Sequence, residues 1–225
     1  MSSINAQTFL EQKKIYPVTL NEEKRVVTGF QSFTIDDNEI FANALMWAIN
    51  NICERERNAL FDINVAKKEF SFNAILDYNI SGKSKYQYFF KGNMRIVDRK
   101  LVYNLYDIEY KTNSILNFSS TSSFDKLSPE KKQKQKEIIT SFQELESKML
   151  NSLFDVITEN KCSIITHWDD INIQRPVKGM NEDECLLAFG KPNNIYEDNN
   201  NRTQWSYGLN FVLIFKNGLL ETIIR

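Results

Sequence analysis

The spacing of apolar positions changes along the chain, and each change marks an element. Val26, Val27, Phe30, Phe33 and Ile35 make Arg25 to Ile35 a strand candidate. Asp36-Asp37-Asn38 punctuates it, and Asp37 or Asn38 is placed to cap the next helix. Glu39 to about Glu56 then carries Phe41, Leu45, Ala48 and Ile52 on one helical face, with Ile40, Ala44 and Trp47 beside them. So wide an apolar arc predicts a helix laid across a sheet, with Trp47 in the core. Period-two patterns follow. Phe61, Ile63, Val65 and then Phe70, Phe72, Ala74, Leu76 predict two strands within Leu60 to Ile80. Ser81-Gly82-Lys83 reads as a turn, and Tyr86 to Val97 with Leu101 to Tyr110 as a hairpin around Asp98-Arg99-Lys100. The front of the chain therefore reads as β-α followed by a four-stranded antiparallel meander.

Lys111 to Ser128 is rich in Ser, Thr and Asn and reads as the longest irregular stretch. Ser128 at the N-cap and Pro129 at the first helical position open the longest helix. Ile138, Phe142, Leu145, Met149, Leu153 and Ile157 draw one buried line along it. Lys131, Lys132, Lys134 and Lys136 crowd its start, interleaved with Gln133 and Gln135, and read as a solvated face. Trp168, Ile171 and Ile173 suggest a short strand broken at Arg175-Pro176. The pattern divides the chain into an arm or signal-peptide remnant (1–24), a sheet-and-helix domain (25–160) and a small α+β module (161–225).

The last module is the most explicit. Asn181 with Glu184 three residues later is a capping box, which makes Glu182-Asp183-Glu184 first-turn acids rather than a metal cluster. Gly190 ends the helix and Pro192 prevents its resumption. Asn217-Gly218 joins Phe211–Lys216 to Leu219–Ile224 as a two-residue hairpin turn, and Trp205 and Tyr207 lie on a preceding strand. A short helix on a three-stranded antiparallel sheet is expected.

Composition excludes several functions. With 28 Lys+Arg against 29 Asp+Glu the net charge is −1, which argues against a nucleic-acid binder and permits self-association into a homo-oligomer. Cys53, Cys162 and Cys185 have neither zinc nor redox spacing, and Cys53 and Cys185 fall in apolar helical patterns as buried thiols. His167, near Asp169 and Asp170, is the only histidine. No phosphate loop or nucleophile elbow occurs, so no catalytic residue, metal site or cofactor is assigned. No apolar run is long enough to span a membrane. Ser3-Ile4-Asn5-Ala6-Gln7 reads like the end of a secretory signal peptide cleaved after Ala6, and points to export, with a cytoplasmic location as the alternative.

Gly179-Met180 with Glu182 to Glu184, Phe189-Gly190-Lys191-Pro192, Trp205-x-Tyr207 and Phe215-x-Asn217-Gly218 together resemble two related modules. One is the small outer-membrane lipoprotein family of the β-barrel assembly machinery (SmpA/OmlA); the other is the repeat of β-lactamase-inhibitor proteins. The likeness covers about Gly179 to Ile224 and implies an interaction module, not a reaction. Phe33-Thr34-Ile35, the helix through Ile40, Phe41, Ala44 and Trp47, and Met94 to Lys100 with Tyr103 are similar to an uncharacterised family of exported Gram-negative proteins with a TATA-binding-protein-like fold. The resulting expectation is an exported, non-catalytic α+β protein that meets a protein partner in the cell envelope. Trp205, Tyr207 and Trp168 are its candidate binding residues. The alternative is a small-ligand protein with a pocket between sheet and helices, lined by tyrosines such as Tyr86, Tyr88, Tyr103 and Tyr106.

Overall fold

Helix α1 (Asp37–Asn51) begins where the sequence turns from strand to acid. Its cap is Asp36, one residue before either expected candidate. The Asp36 carboxylate accepts from the amides of Asn38 and Glu39, and Glu39 reaches back to the Asp36 amide. Asp37 is instead used across the fold, accepting from the Arg99 amide at 2.8 Å. The helix ends at Asn51, short of Glu56. The computed structural model describes residues 19–21, 24–53, 59–80, 83–112, 121–127, 133–198 and 201–225. The expected turn at Ser81-Gly82, the Ser128-Pro129 cap, Lys131 and Lys132 lie outside them.

Strands β1 (Thr19–Asn21), β2 (Lys24–Ser32), β3 (Leu60–Asn64), β4 (Glu69–Ile80), β5 (Lys83–Val97), β6 (Lys100–Thr112) and β7 (Ser122–Ser123) form one antiparallel sheet among the described residues. Its order is β1-β2-β6-β5-β4-β3, with β7 added to β6. The expected meander β3 to β6 is present, and β2 closes against β6 with Val27 opposite Leu105. Asp98 and Arg99, with φ of 51° and 57°, form the tight β5–β6 turn. The stretch read as wholly irregular holds β7 and a 3₁₀ turn (Phe124–Lys126), because Phe124 is an apolar plug with no exposed surface.

Helices α1 and α2 (Gln133–Glu159) cover one face of this sheet. Phe142 packs its ring 5.3 Å from Tyr88, 5.1 Å from Phe124 and 5.7 Å from Phe90. Two glycines let the rings in: a Cβ at Gly92 would overlap the Phe72 ring, and one at Gly29 would overlap the Tyr103 phenol. Trp47 is buried as expected and donates to Ser152 Oγ at 3.2 Å. Lys134 and Lys136 are exposed, in keeping with a solvated face.

The expected strand at Trp168 to Ile173 is a helix, α3 (Trp168–Asn172). Ile171 is buried while Ile173 is 60% exposed, so the two do not share a strand face. Helix α4 (Glu182–Phe189) has the Asn181–Glu184 capping box, and Gly190 ends it at φ 80°. The sheet beneath has four strands rather than three, in the order β11-β10-β9-β8. They are β8 (Asn194–Glu197), β9 (Arg202–Tyr207), β10 (Phe211–Lys216) and β11 (Leu219–Ile224). All residues of β8 are exposed, so no alternation betrays it. Asn217 and Gly218, at φ 52° and 76°, make the β10–β11 turn as the sequence implied. One buried cluster runs from Val27 through Phe142 to Leu220, so the two sheets share a continuous core.

Candidate functional site

A groove of about 1150 Å³ opens between the two sheets. One wall is Leu60 to Ile63 of β3, the end strand of the large sheet. The β3–β4 register shifts between Phe61 and Asn64, and Asp62 takes a left-handed backbone at φ 51°. The facing wall is the β9–β10 turn, where Gly208 at φ 67° supplies the reversal and Leu209 stands 98% exposed. Beneath that turn lies a three-ring cluster. Phe189 sits 5.9 Å from Tyr207 and 5.2 Å from Phe211, and Tyr207 sits 5.4 Å from Phe211. Tyr207 donates its hydroxyl to the Gly190 carbonyl at 3.0 Å, which locks the ring upright. The Arg225 guanidinium lies 5.7 Å over the Phe211 ring. Asn172, Gln174 and Asn210 add amide side chains at the rim.

A second polar constellation surrounds His167. The Glu184 carboxylate is 1% exposed and accepts five hydrogen bonds: from Thr166 N (2.6 Å), Thr166 Oγ1 (3.0 Å), His167 N (3.0 Å), His167 Nδ1 (2.9 Å) and Asn181 N (2.9 Å). Burial alone would raise this carboxyl; the hydrogen bonds from Thr166, Asn181 and His167 outweigh it and hold the group below its ordinary value. Asp183 accepts from Ser163 N at 2.7 Å, and Asn181 donates to Ile164 O at 3.1 Å. The acids of α4 thus tie the 161–167 segment down. Burial pushes the Cys162 and Cys185 thiols up to about 12, so both stay protonated at neutral pH. Among the described residues no group of three or more His, Cys, Asp or Glu could hold a metal ion.

The expected binding residues separate. Tyr207 lines the groove. Trp205 is 6% exposed, its ring 4.8 Å from Phe215, so it is part of the core under α4 and not a surface platform. Trp168 is half-buried 5.4 Å from Phe41 and links α3 to α1. Tyr86, Tyr88 and Tyr103 are buried in the sheet–helix interface, with Tyr88 donating to Ile138 O at 2.9 Å. Tyr106, opposite Lys91, is on the other sheet face and does not join them. The groove residues Asp62 and Arg225 carry no local signal and Leu209 only that of an isolated leucine after Gly208, while Phe189 stands in the Phe189-Gly190-Lys191-Pro192 motif.

The architecture can be set beside solved structures. A TBP-like protein from Parabacteroides distasonis superposes with a TM-score of 0.53 and 12% identity, covering 62% of this chain and 96% of that one. The chain has a TBP-like α+β fold. A DUF4468 family protein from Bacteroides ovatus gives a TM-score of 0.47 and 8% identity, over 67% of this chain and 93% of that one. No family model matches the chain, and no curated protein does. No helix among the described residues is long and apolar enough to cross a membrane.

Proposed function

We propose that the protein is an exported, non-catalytic interaction protein of the bacterial envelope, and that it takes part of a partner protein into the groove between its two sheets. The observation that carries this reading is the groove itself. It combines an aromatic wall, a 98% exposed Leu209 and the end strand of a sheet. The chemically distinctive side chains elsewhere support binding over reaction, since they are committed to the fold: Glu184 clamps a segment and Tyr88 ties the sheet to α2. The resemblance of Gly179 to Ile224 to SmpA/OmlA modules, and the signal-like Ser3 to Gln7, support the envelope location.

Replacing Leu209 by a photo-crosslinking amino acid in the native cells tests this. Protein adducts recovered with the envelope fraction are expected. A cytoplasmic product that forms no adduct would sink the reading. The volume of the groove also suits a small ligand. In that case native mass spectrometry of the purified protein would show a retained small mass, and Leu209 would form no adduct.

A further inference from the structure

Asp62 and Arg225 line the same groove, carry opposite charges, and have no ion-pair partner among the described residues. Strand β3 hydrogen-bonds to β4 and, among the described residues, to no other strand, so its other edge has no strand partner there, and Leu60 to Ile63 of the same strand line the groove. Building on the interaction reading above, we infer that the groove binds one extended peptide segment of a partner protein as an added strand on β3. The segment places a basic group at Asp62 and an acidic group at Arg225, with apolar side chains between them.

Each part of that occupant answers a feature of the site. Leu60–Asn64 is about 17 Å long at about 3.3 Å per residue, the span of a short segment. Main-chain pairing to an open edge supplies affinity that does not depend on sequence, while alternate side chains find pockets. Here the pocket wall is Phe189, Tyr207 and Phe211, which is apolar and held rigid by ring contacts. Charge selects the segment and its direction. An anion and a cation with no ion-pair partner among the described residues favour a ligand that presents the complementary pair and disfavour one of uniform charge. A second copy of this chain fits less well. The β9–β10 turn lines the same groove as β3, and the edge of another folded sheet would have to clear the exposed Leu209 to reach it. The register shift between Phe61 and Asn64 keeps regular pairing on β3 short, which suits a short segment better than the edge of a sheet.

The test is selection of a random displayed peptide library on the purified full-length chain, followed by titration and amide hydrogen exchange. Enriched peptides are expected to alternate apolar residues between one basic and one acidic position. Asp62→Lys and Arg225→Glu should each weaken a selected peptide at least about tenfold. Both residues are exposed, and Asp62→Asn with Arg225→Gln gives a milder second pair should either reversal disturb the fold. Bound peptide should slow exchange at Leu60 to Ile63 by about tenfold or more. No enriched peptide binding more tightly than about 1 mM would overturn the inference. So would peptides that bind all four variants equally, or that leave β3 exchange unchanged. If these failures coincide with protein adducts at Leu209, the interaction reading stands and only the strand-addition mode falls.

Discussion

Glu184 receives His167 Nδ1 at 2.9 Å, yet that contact is one of five on the same carboxylate, and the other four come from backbone amides and a threonine hydroxyl. The contact of the single histidine with this acid is therefore built into the N-cap of α4. The expected outcome is a strong asymmetry between the partners. Glu184→Ala leaves several part-buried donors without their acceptor and should cost about 2–4 kcal/mol. His167→Ala removes one ring contact and should cost about 1 kcal/mol. Denaturant unfolding of both variants checks this, and equal losses would mean that the ion pair, not the cap, dominates.

The same carboxylate sets an acid limit. Its folded value lies below the ordinary one, so its stabilisation is complete above the ordinary glutamate range. That stabilisation is lost as pH falls through the folded value. Unfolding midpoints measured on the acid side should fall steeply for the wild type and less so for Glu184→Gln.

Glu146 gives the opposite slope. It has no exposed surface, one carboxylate oxygen has no hydrogen-bond partner, and burial raises the group from 4.5 to about 8. A raised folded value means that stability is greatest below the unfolded value and is lost as pH rises through the folded one. The loss between pH 4 and pH 9 is on the order of 4 kcal/mol. Glu146→Gln cannot ionise, so it should be the more stable protein at pH 9 and lie within about 1 kcal/mol of wild type at pH 4. Unfolding of both proteins across that range decides the matter through their difference, because other titrating groups cancel.

How far the sequence revealed this depends on the range of the interaction concerned. The Asn181–Glu184 box and the Asn217-Gly218 turn were legible because both are complete within four residues. The α1 cap was displaced by one residue because three consecutive acid or amide side chains compete for the same amides. Trp168 to Ile173 was misread because β-propensity describes half-buried surface, whereas here Trp168 and Ile171 pack on the core at helical spacing and Ile173 is exposed. Alternation placed Trp205 and Tyr207 on one strand face but could not tell which side α4 would cover. The groove was illegible for a stronger reason. Asp62, Leu209 and Arg225 come from opposite ends of the chain, and the packing of one sheet beside the other brings them together.

Gly92 is a test of the core itself. Its missing side chain is the space that the Phe72 ring occupies, and Phe72 in turn stands 6.4 Å from Phe90 and 6.3 Å from Phe70. Gly92→Ala should cost about 1–3 kcal/mol through overpacking. A double change with Phe72→Leu should recover part of that loss. Additive costs in the double-mutant cycle would show that the ring can move aside.

Tyr207 separates the stability of the groove from its use. Its hydroxyl holds the Gly190 carbonyl at 3.0 Å, at the point where α4 stops, while its ring faces Phe189 and Phe211. Tyr207→Phe keeps the ring and deletes the bond, so it should lower stability by about 1 kcal/mol. The apolar wall survives in that variant, and peptides selected on the wild type should bind within about twofold. Tyr207→Ala removes the wall as well and should weaken the same peptides about tenfold or more. Titration of the three proteins with one peptide reads the difference. If Tyr207→Phe loses binding as severely as Tyr207→Ala, the phenol oxygen rather than the ring contacts the partner, and the hydrogen bond to Gly190 must open when the groove is filled.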